Sequence, residues 1–511
     1  MTATLSDLFA FHRNDGLAVG APDRPWLTYA GLRELVGHTV TALHAAGVGK
    51  GDRVAIVLPN GPEMATAFVA LAEGAVTAPL NPAYRLEEFE FYLSDLGAKA
   101  IVLAEGYDGP ALVAANHLGL AVLRLGHDAA DPAGSFTLRA ESVAPGEPER
   151  ATARPRDLAL ILHTSGTTSR PKIVPLRHGN LSASAHHIAG SLALTPHDRC
   201  LNMMPLFHIH GLVAAVSASL AAGASVWCAP GFDALKVFGW IEAARPTWYT
   251  AVPTMHQAIL ARAPRNAEVI ERVPLRFIRS SSASLPAQVM EALSATFRAP
   301  VIEAYGMTEA AHQMTSNPLP PRPQKPGSVG VAAGPQVRIA DEASDRLIEG
   351  TGEVVISGPN VTAGYEANKA ANAKSFFEAE GERWFRTGDQ GRFDAEGYLT
   401  ITGRLKEIIN RGGEKISPLE VDGVLMDHPA VLQVVTFALP HPKLGEEVAA
   451  AVVLREGMAA DEAAIRAFCA DRLAEFKVPR RVVLLDEIPK GATGKLQRIG
   501  LAEKLGLVSP A

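Results

Sequence analysis

The chain has 511 residues, 47% of them hydrophobic and 20% charged, with a formal net charge of −6. This length exceeds what one hydrophobic core supports, so two or three domains are expected. The mildly acidic balance gives no electrostatic footprint for nucleic acid or an anionic membrane, and neither is expected as a partner. The composition leaves open whether the protein is a monomer or a homodimer.

The termini and the cysteines bear on the cellular compartment. The N-terminal residues lack a basic region followed by an apolar core, and the final Val-Ser-Pro-Ala is not a peroxisomal signal. Widely separated cysteines outside any CxxC pair are typical of a reducing compartment. They are Cys200, Cys228 and Cys469. We expect a cytoplasmic protein without disulfides or a structural zinc site.

Strands and helices alternate along the first 330 residues, which predicts parallel sheets covered on both faces. The predicted helices cover 32–43, 62–73, 86–96, 181–192 and 211–222. The predicted strands cover 54–58, 75–79, 100–103, 158–162, 200–204, 225–229, 248–252, 277–280 and 301–305. The polar, Pro-rich segment 126–156 is expected to run over the surface.

One uncharged segment, between Arg199 and Asp233, could suggest a membrane span. It consists largely of Ala, Gly and Ser, and Pro205 and two histidines stand near its start. A buried helix followed by a buried strand is the better interpretation.

The composition changes after about residue 335. Residues 336–403 contain half-polar alternating strands separated by Gly-rich turns, a pattern typical of a small antiparallel barrel. The remaining residues have their own helices at 418–426 and 461–473 and their own strands. We therefore predict a domain 1–403 that includes a barrel-like part, 336–403, and a second domain 404–511.

The segment 163–172 is rich in small hydroxylated residues and ends in a lysine. Gly and Ser/Thr let a backbone fold around a bulky anion with N–H and O–H groups directed at it, and a lysine adds a mobile charge. A solvated Ser/Thr loop is an equally good interpretation of this stretch alone. It is not the common G-x-x-x-x-G-K-[ST] loop. The residues concerned are Thr164, Ser165, Gly166, Thr167, Thr168 and Lys172.

Further motifs follow in a fixed order: Pro-Leu-Phe-His-Ile-His-Gly at 205–211, Glu-Ala-Tyr-Gly-Met-Thr-Glu at 303–309, Phe-Arg-Thr-Gly-Asp at 385–389, Gly-Arg-Leu-Lys-Glu at 403–407 and Gly-Ala-Thr-Gly-Lys at 491–495. With the 163–172 segment they resemble the adenylate-forming superfamily of acyl-CoA synthetases, luciferases and peptide-synthetase adenylation domains, over the whole chain. The resemblance implies an α/β fold: a large N-terminal domain of parallel sheets, helices and a small β-barrel, and a small α+β C-terminal domain on a hinge.

The resemblance also implies a reaction and its co-substrates. A carboxylate attacks the α-phosphate of ATP in the presence of Mg²⁺, giving acyl-AMP and pyrophosphate, and the thiol of CoA then displaces AMP. It assigns catalysis to Lys495, Thr308 and Glu309, with Glu309 as the Mg²⁺ ligand. The ATP- or AMP-binding residues that it implies are Thr164, Ser165, Gly166, Thr167, Thr168, Lys172, Glu303, Ala304, Tyr305, Thr308, Asp389, Arg404 and Lys495.

Three of these residues would have ordinary interpretations by themselves. Glu309 would be a helix N-terminal acid, Asp389 a turn residue and Lys495 a solvated surface lysine. The resemblance instead implies that Asp389 binds the ribose hydroxyls and that Lys495 bridges the carboxylate and the α-phosphate. It also makes Lys406 the pivot about which the C-terminal domain rotates between the two half-reactions.

The acid is expected to be small. Polar groups converge where long-chain members need an apolar tunnel, and a cluster of donors suits a second carboxylate. The candidate substrate residues are His208, Ser282 and His312. They could instead satisfy one another, or hold water, around a monocarboxylate.

Finer resemblance favours one branch. The segments 277–285, 303–312, 316–330 and 406–418 look like the oxalate–CoA ligases of plants and fungi, in which positions matching His208, Ser282 and His312 contact oxalate. The leading hypothesis is therefore an oxalate–CoA ligase. The alternatives are a CoA ligase for another short- or medium-chain carboxylate, a non-catalytic nucleotide-binding relative, and an adenylation domain that serves a carrier protein.

Overall fold

The computed structural model describes residues 3–164, 171–489 and 496–508. These form two compact units. The first contains residues 3–164, Pro171–Val337 and Ile356–Lys374, and the second contains Arg338–Val355 and the described residues from 375 onwards. The predicted division at residue 403, with a hinge beside it, stays a prediction.

A seven-stranded sheet forms one part of the first unit. Its central pairings are parallel and its two edge pairings are antiparallel. In spatial order the strands are Thr137–Ala140, Ala121–Gly126, Ala100–Ala104, Arg53–Val57, Val76–Pro79, Leu158–Thr164 and Lys172–Arg177. The central strands are buried apolar runs, as strands covered on both faces require.

A nine-stranded sheet forms the other part, and its central pairings are also parallel. In spatial order its strands are Val331–Ala332, His312–Ser316, Val301–Met307, Phe277–Ser281, Trp248–Ala251, Arg199–Asn202, Ser225–Cys228, Leu17–Gly20 and Leu27–Thr28. The strand Val301–Met307 turns back antiparallel into His312–Ser316. This hairpin carries most of the motif at 303–312.

The helices of the first unit follow the apolar periodicity. Tyr29–Ala45, for example, buries Leu32, Leu35 and Leu43, and its N-terminus is capped by Thr28, whose hydroxyl accepts from the amide of Gly31. The other α-helices are Pro62–Ala72, Leu86–Leu96, Pro110–His117, His178–Ser191, Ala218–Ala221, Val237–Ala244, Pro253–Arg262, Ala267–Arg272, Ala287–Phe297 and Lys369–Ser375. Short 3₁₀ turns lie at Ser6–Leu8, Ala263–Asn266 and Thr308–Ala310.

The uncharged segment after Arg199 is buried within the first unit, as predicted. It forms a π-helix, His210–Ser217, then the helix Ala218–Ala221 and the strand Ser225–Cys228. In the described part of the chain no helix combines the length and the apolar character needed to cross a bilayer. The three cysteines are free thiols and all are buried.

A six-stranded sheet, most of whose residues belong to the second unit, corresponds to the barrel expected for 336–403. Its described pairings are antiparallel. The strands run in the order Leu347–Ile348, Gln336–Ala340, Gly352–Ser357, Glu382–Phe393 and Phe376–Ala379, and Leu399–Arg404 also pairs with Glu382–Phe393. Buried Trp384 and Phe377 pack in its core.

The described residues from 409 onwards form a separate sheet with its own helices within this unit. Its strands run in the order Glu414–Ile416, Ile409–Arg411, Gly445–Leu454 and Val431–His441, with Arg481–Leu484 parallel to Gly445–Leu454. The helices are Pro418–Met426, Glu462–Ala470 and Leu501–Lys504, with a 3₁₀ turn at Glu475–Lys477. The α/β fold expected from the sequence is confirmed.

Candidate functional site

The segment rich in small hydroxylated residues joins two adjacent strands. Leu158–Thr164 and Lys172–Arg177 are antiparallel neighbours, and Thr164 lies opposite Lys172. The two strand ends that flank residues 165–170 are therefore held side by side. The intervening residues Ser165, Gly166, Thr167 and Thr168 lie outside the described residues, as does Lys495.

The side chain of Lys172 connects to Glu309 through an aromatic ring. Its ammonium lies 4.3 Å from the centroid of the Tyr365 ring, a cation–π contact. The hydroxyl of Tyr365 donates a 2.8 Å hydrogen bond to Oε1 of Glu309. The structure thus brings together two predicted site residues, and Tyr365 is a third that the sequence did not indicate.

A short turn positions Glu309. It lies in the 3₁₀ turn Thr308–Ala310, which directly follows the strand Val301–Met307, and its carboxyl is buried. The backbone carbonyl of Glu309 accepts a 2.7 Å bond from the amide of Thr362, which fixes the turn against the segment that carries Tyr365. Tyr305 and Thr308 on the same hairpin are half-buried.

Glu303 and Ala304 lie deeper in the sheet. Oε1 of Glu303 accepts from the amide of Leu285 at 2.9 Å, and Ala304 accepts through its carbonyl from the hydroxyl of Ser281 at 2.7 Å. Burial raises the pKa of the Glu303 carboxyl to about 8, so it is largely protonated at neutral pH. The Glu303 side chain therefore fixes the turn that contains Leu285 against the strand Val301–Met307, and its predicted role at ATP stays a prediction.

A buried polar cluster lies where the acid-binding residues were expected. His210 Nδ1 is 2.9 Å from the hydroxyl of Ser282, and the ring of His210 lies 5.1 Å from that of His312. The histidine that contacts Ser282 is thus His210, two positions from the predicted His208. His208 is half-buried, with its ring 4.5 Å from that of Phe207, and its role stays a prediction.

Below this cluster lies Arg279, which is fully buried. Its Nη1 is 3.4 Å from Nε2 of His210 and 3.5 Å from the hydroxyl of Thr250, and Nη2 is 3.3 Å from Oε1 of Gln313. None of these three neighbours is a carboxylate, which is unusual for a guanidinium inside a protein.

In the second unit, Asp389 and Arg404 lie opposite each other on neighbouring antiparallel strands. Nε of Arg404 donates to Oδ1 of Asp389 at 2.9 Å. The turn before Asp389 is fixed by Glu353, whose carboxylate accepts from the amide of Gly388 at 2.9 Å. Lys406 follows in an exposed turn.

Arg498, three residues after Lys495, is anchored by two carboxylates of the second unit. Nη2 lies 2.6 Å from Asp422 and Nε lies 3.3 Å from Glu407, the neighbour of Lys406. These ion pairs connect the segment that begins at residue 496 to Glu407, beside the predicted pivot.

Two family models match the chain. The model of the AMP-binding enzyme family matches residues 9–366, and that of the AMP-binding enzyme C-terminal domain matches residues 420–495. The protein is an AMP-binding enzyme. The matches support the adenylate-forming acyl-CoA synthetase superfamily that the motifs predicted.

Individual relatives of this AMP-binding enzyme cover nearly its full length. An oxalate–CoA ligase of Arabidopsis thaliana is 47% identical over 92% of each chain. An oxalate–CoA ligase of Saccharomyces cerevisiae is 40% identical, over 98% of this chain and 97% of its own. Among solved structures, ATP-bound MatB from Rhodopseudomonas palustris is 31% identical over 99% of each chain, with a TM-score of 0.86.

The donor set of this AMP-binding enzyme fits a magnesium ion that accompanies a nucleotide. Within the described ranges no group of three or more His, Cys, Asp or Glu side chains is arranged to hold a metal. Mg²⁺ commonly takes one or two carboxylates and completes its shell with phosphate oxygens and water. The buried carboxyl of Glu309, on the hairpin that faces Lys172 and Tyr365, is a group of the kind that could serve as one such ligand.

Sequence reasoning missed Tyr365, His210 and Arg279. Tyr365 follows Gly364 in a segment without regular structure, where a large aromatic residue is a usable signal. His210 was visible in the Phe-His-Ile-His motif, but its spacing could not decide between the two histidines. Arg279 stands inside an apolar strand, and a charged residue there was the clearest of the three signals.

Proposed function

We propose that this enzyme is an ATP-dependent oxalate–CoA ligase that forms oxalyl-AMP and then oxalyl-CoA, AMP and pyrophosphate. The observation that carries the choice of acid is the buried polar cluster of His210, Ser282 and His312, with the cation of Arg279 beneath it. A buried carboxylate must be hydrogen-bonded or paired, and this cluster offers hydrogen-bond partners with a positive charge behind them. Two relatives named oxalate–CoA ligases, at 40% and 47% identity, support the same acid.

The first half-reaction is a displacement at phosphorus. One oxygen of the acid attacks the α-phosphate of ATP, and the bond to the leaving pyrophosphate breaks. Lys172 and residues 165–168 hold the leaving phosphates, and Lys495 bridges the acid and the α-phosphate. These cations act by position and charge, which dominate phosphoryl-transfer catalysis.

Other residues bind the rest of the nucleotide and its metal. Glu309 holds Mg²⁺, which when bound neutralises charge on the phosphates. Tyr305 lies against the adenine and Thr308 reaches a phosphate oxygen. Asp389 accepts from the ribose hydroxyls, and Arg404 fixes the Asp389 carboxylate through their 2.9 Å hydrogen bond.

In the second half-reaction the sulfur of CoA attacks the acyl carbon, and the bond to AMP breaks. We propose that the domain 404–511 rotates about Lys406 between the two steps, withdrawing Lys495, and that 411–415 then lines the path of the pantetheine. The distal carboxylate of the acid stays bound by Ser282, His312 and His208 or His210. The cytoplasmic location and the choice between monomer and homodimer stay predictions.

An acid panel tests the proposal. Oxalate, malonate, acetate and octanoate are supplied singly with ATP, Mg²⁺ and CoA, and AMP release is followed. Oxalate is expected to give the highest kcat/KM. A higher value for octanoate would contradict the polar-pocket argument, and no AMP with any acid would contradict the ligase assignment.

A substrate-side variant sharpens this test. His312→Ala should reduce kcat/KM for oxalate much more than it changes the KM for ATP, because His312 is assigned to the acid. Equal losses for both substrates would contradict that assignment. Acyl-AMP formation with no CoA turnover would instead favour an adenylation domain that serves a carrier protein.

A further inference from the structure

The guanidinium of Arg279 is the most unusual charge in the first unit. The side chain is fully buried, and burial lowers its pKa to about 10, which still leaves it charged near neutral pH. Within residues 3–164, 171–489 and 496–508 no carboxylate forms an ion pair with it, and its Nε has no hydrogen-bond partner. A buried cation of this kind is costly unless a ligand or a function compensates for it.

The contacts of Arg279 determine which groups of the cluster donate hydrogen bonds and which accept them. A guanidinium only donates hydrogen bonds, so Nε2 of His210, 3.4 Å from Nη1, accepts. The hydroxyl of Thr250, 2.6 Å from the same Nε2, can then accept from Arg279 and donate to His210. A ring nitrogen that accepts a hydrogen bond carries no proton, which places the proton of this imidazole on Nδ1.

The same order of donors and acceptors extends to Ser282 at the edge of the cluster. The Nδ1–H of His210 donates to the hydroxyl oxygen of Ser282 at 2.9 Å. The Ser282 hydroxyl proton is then directed away from His210, towards an acceptor. On the opposite side Gln313 is held by its own amide, which donates to Ser191 at 2.9 Å and to the carbonyl of Ala333 at 3.1 Å, so that its oxygen faces Arg279.

We propose that Arg279 is a positioning and specificity-determining residue: it holds the His210–Ser282 pair with its donors directed at the acid and supplies the positive charge that favours a dianion over a monoanion. The inference rests on the proposed function and adds a residue and a cause to it. Arg279 acts through His210 and does not itself touch the acid.

Replacing the arginine tests the inference. Arg279→Met is expected to lower kcat/KM for oxalate at least about tenfold, mainly through KM, and to leave the KM for ATP within about twofold. The ratio of kcat/KM for oxalate to that for the monocarboxylate glycolate falls by the same factor. Arg279→Lys, which keeps the charge, restores part of the ratio.

A second variant removes the charge effect without removing the arginine. Gln313→Glu is nearly isosteric and places a carboxylate on Nη2 of Arg279, so the net charge below the cluster is cancelled. It is expected to lower the oxalate-to-glycolate ratio as Arg279→Met does. If Arg279→Met does not fold, this variant decides.

A matched control separates positioning from structure. Arg276→Met removes an arginine three residues earlier, which is ion-paired with Asp198 at 2.9 Å and lies outside the cluster. It can lower the melting temperature but should leave the oxalate-to-glycolate ratio unchanged. Nitrogen-15 NMR of the His210 ring should show the Nδ1–H tautomer in the wild type and a mixture in Arg279→Met.

The outcomes distinguish this inference from the proposed function. If wild-type enzyme releases no AMP with oxalate, the proposed function fails, and the tautomer of His210 alone tests the role of Arg279. If the wild type uses oxalate and both Arg279→Met and Gln313→Glu keep its oxalate-to-glycolate ratio, the inference is wrong. Equal losses for oxalate and ATP would also overturn it.

Discussion

The hydroxyl of Tyr365 donates a 2.8 Å hydrogen bond to Glu309, and its ring lies under the ammonium of Lys172. One aromatic side chain thereby orients both the proposed magnesium ligand and the proposed phosphate-binding cation. Lys172 and Glu309 belong to two different sequence motifs, and neither motif indicates a contact with the other. Tyr365 is the physical connection between them.

Tyr365→Phe keeps the ring under Lys172 and removes the bond to Glu309. Because groups that orient a metal ligand strengthen binding, we expect the apparent Mg²⁺ affinity to fall about tenfold or more. The measurement is the Mg²⁺ dependence of pyrophosphate release. Tyr249→Phe, which removes a buried hydrogen bond to His256, is the control and should leave this dependence unchanged. An unaltered Mg²⁺ curve in Tyr365→Phe would remove Tyr365 from the site.

Asp389→Asn should raise the KM for ATP about tenfold, because a charge-assisted acceptor for the ribose is lost. The structure suggests a sharper comparison with 2′-deoxy-ATP. Wild-type enzyme should use the deoxy nucleotide less well than ATP, whereas the variant should discriminate less. Additive effects of the substitution and the missing hydroxyl would show that Asp389 does not bind that hydroxyl.

Lys495→Ala should lower acyl-AMP formation at least about 100-fold, because the bridging charge acts only in that transition state. Thioester formation from supplied oxalyl-AMP and CoA should be largely retained. The two half-reactions are measured separately by pyrophosphate and AMP release. Equal damage to both would contradict the alternation of domains.

The raised pKa of Glu303 should make the free energy of unfolding depend on pH. Its folded-state pKa of about 8 lies above the usual carboxyl range, so the folded state binds the proton more tightly than the unfolded state. The stabilisation is complete at acidic pH, below the unfolded pKa, and is lost as pH rises towards 8, with a slope of up to about 1.4 kcal/mol per pH unit.

Glu303→Gln should remove that slope. Denaturant unfolding between pH 5 and 8 measures this slope. The free energy of unfolding is expected to depend less on pH in the variant than in the wild type. Glu291→Gln, at an exposed position on the helix Ala287–Phe297, is the matched control. Parallel curves for wild type and Glu303→Gln would show that the carboxyl is charged in the folded protein.

Arg498→Met should destabilise the second unit by about 1–3 kcal/mol, because it leaves the half-buried carboxylates of Asp422 and Glu407 without their cation. Thermal unfolding measures the loss. Arg480→Met, at an exposed arginine 3.8 Å from Glu447, should change the melting temperature little. Similar shifts in the two variants would mean that the Arg498 ion pairs contribute no more than a surface pair.

Much of the fold followed from periodicity. The helices Leu86–Leu96 and Pro418–Met426 occur as predicted, because their apolar spacing acts locally. The strand Thr137–Ala140 did not follow, since its half-exposed residues carry no apolar alternation and it forms by pairing with Ala121–Gly126.

The site was predictable as a set of residues but not as a set of contacts. Lys172 and Glu309 belong to recognisable motifs, whereas their connection through Tyr365 depends on how distant segments pack. Asp389 and Arg404 come opposite each other only because the strand pairing shifts register between Gln390 and Gly391. Such an irregularity has no reliable signal in one sequence.

The segment His210–Ser217 is a π-helix, so each of its hydrogen-bonded turns contains one residue more than a turn of α-helix. Removing a single alanine from it would let the backbone relax to the ordinary winding and rotate its first residue by about 100° relative to the rest. The imidazole of His210 would then turn away from Ser282 although no side chain of the cluster had changed. If the cluster binds the acid as proposed, acid recognition depends on the length of a buried segment as well as on the residues that surround the acid.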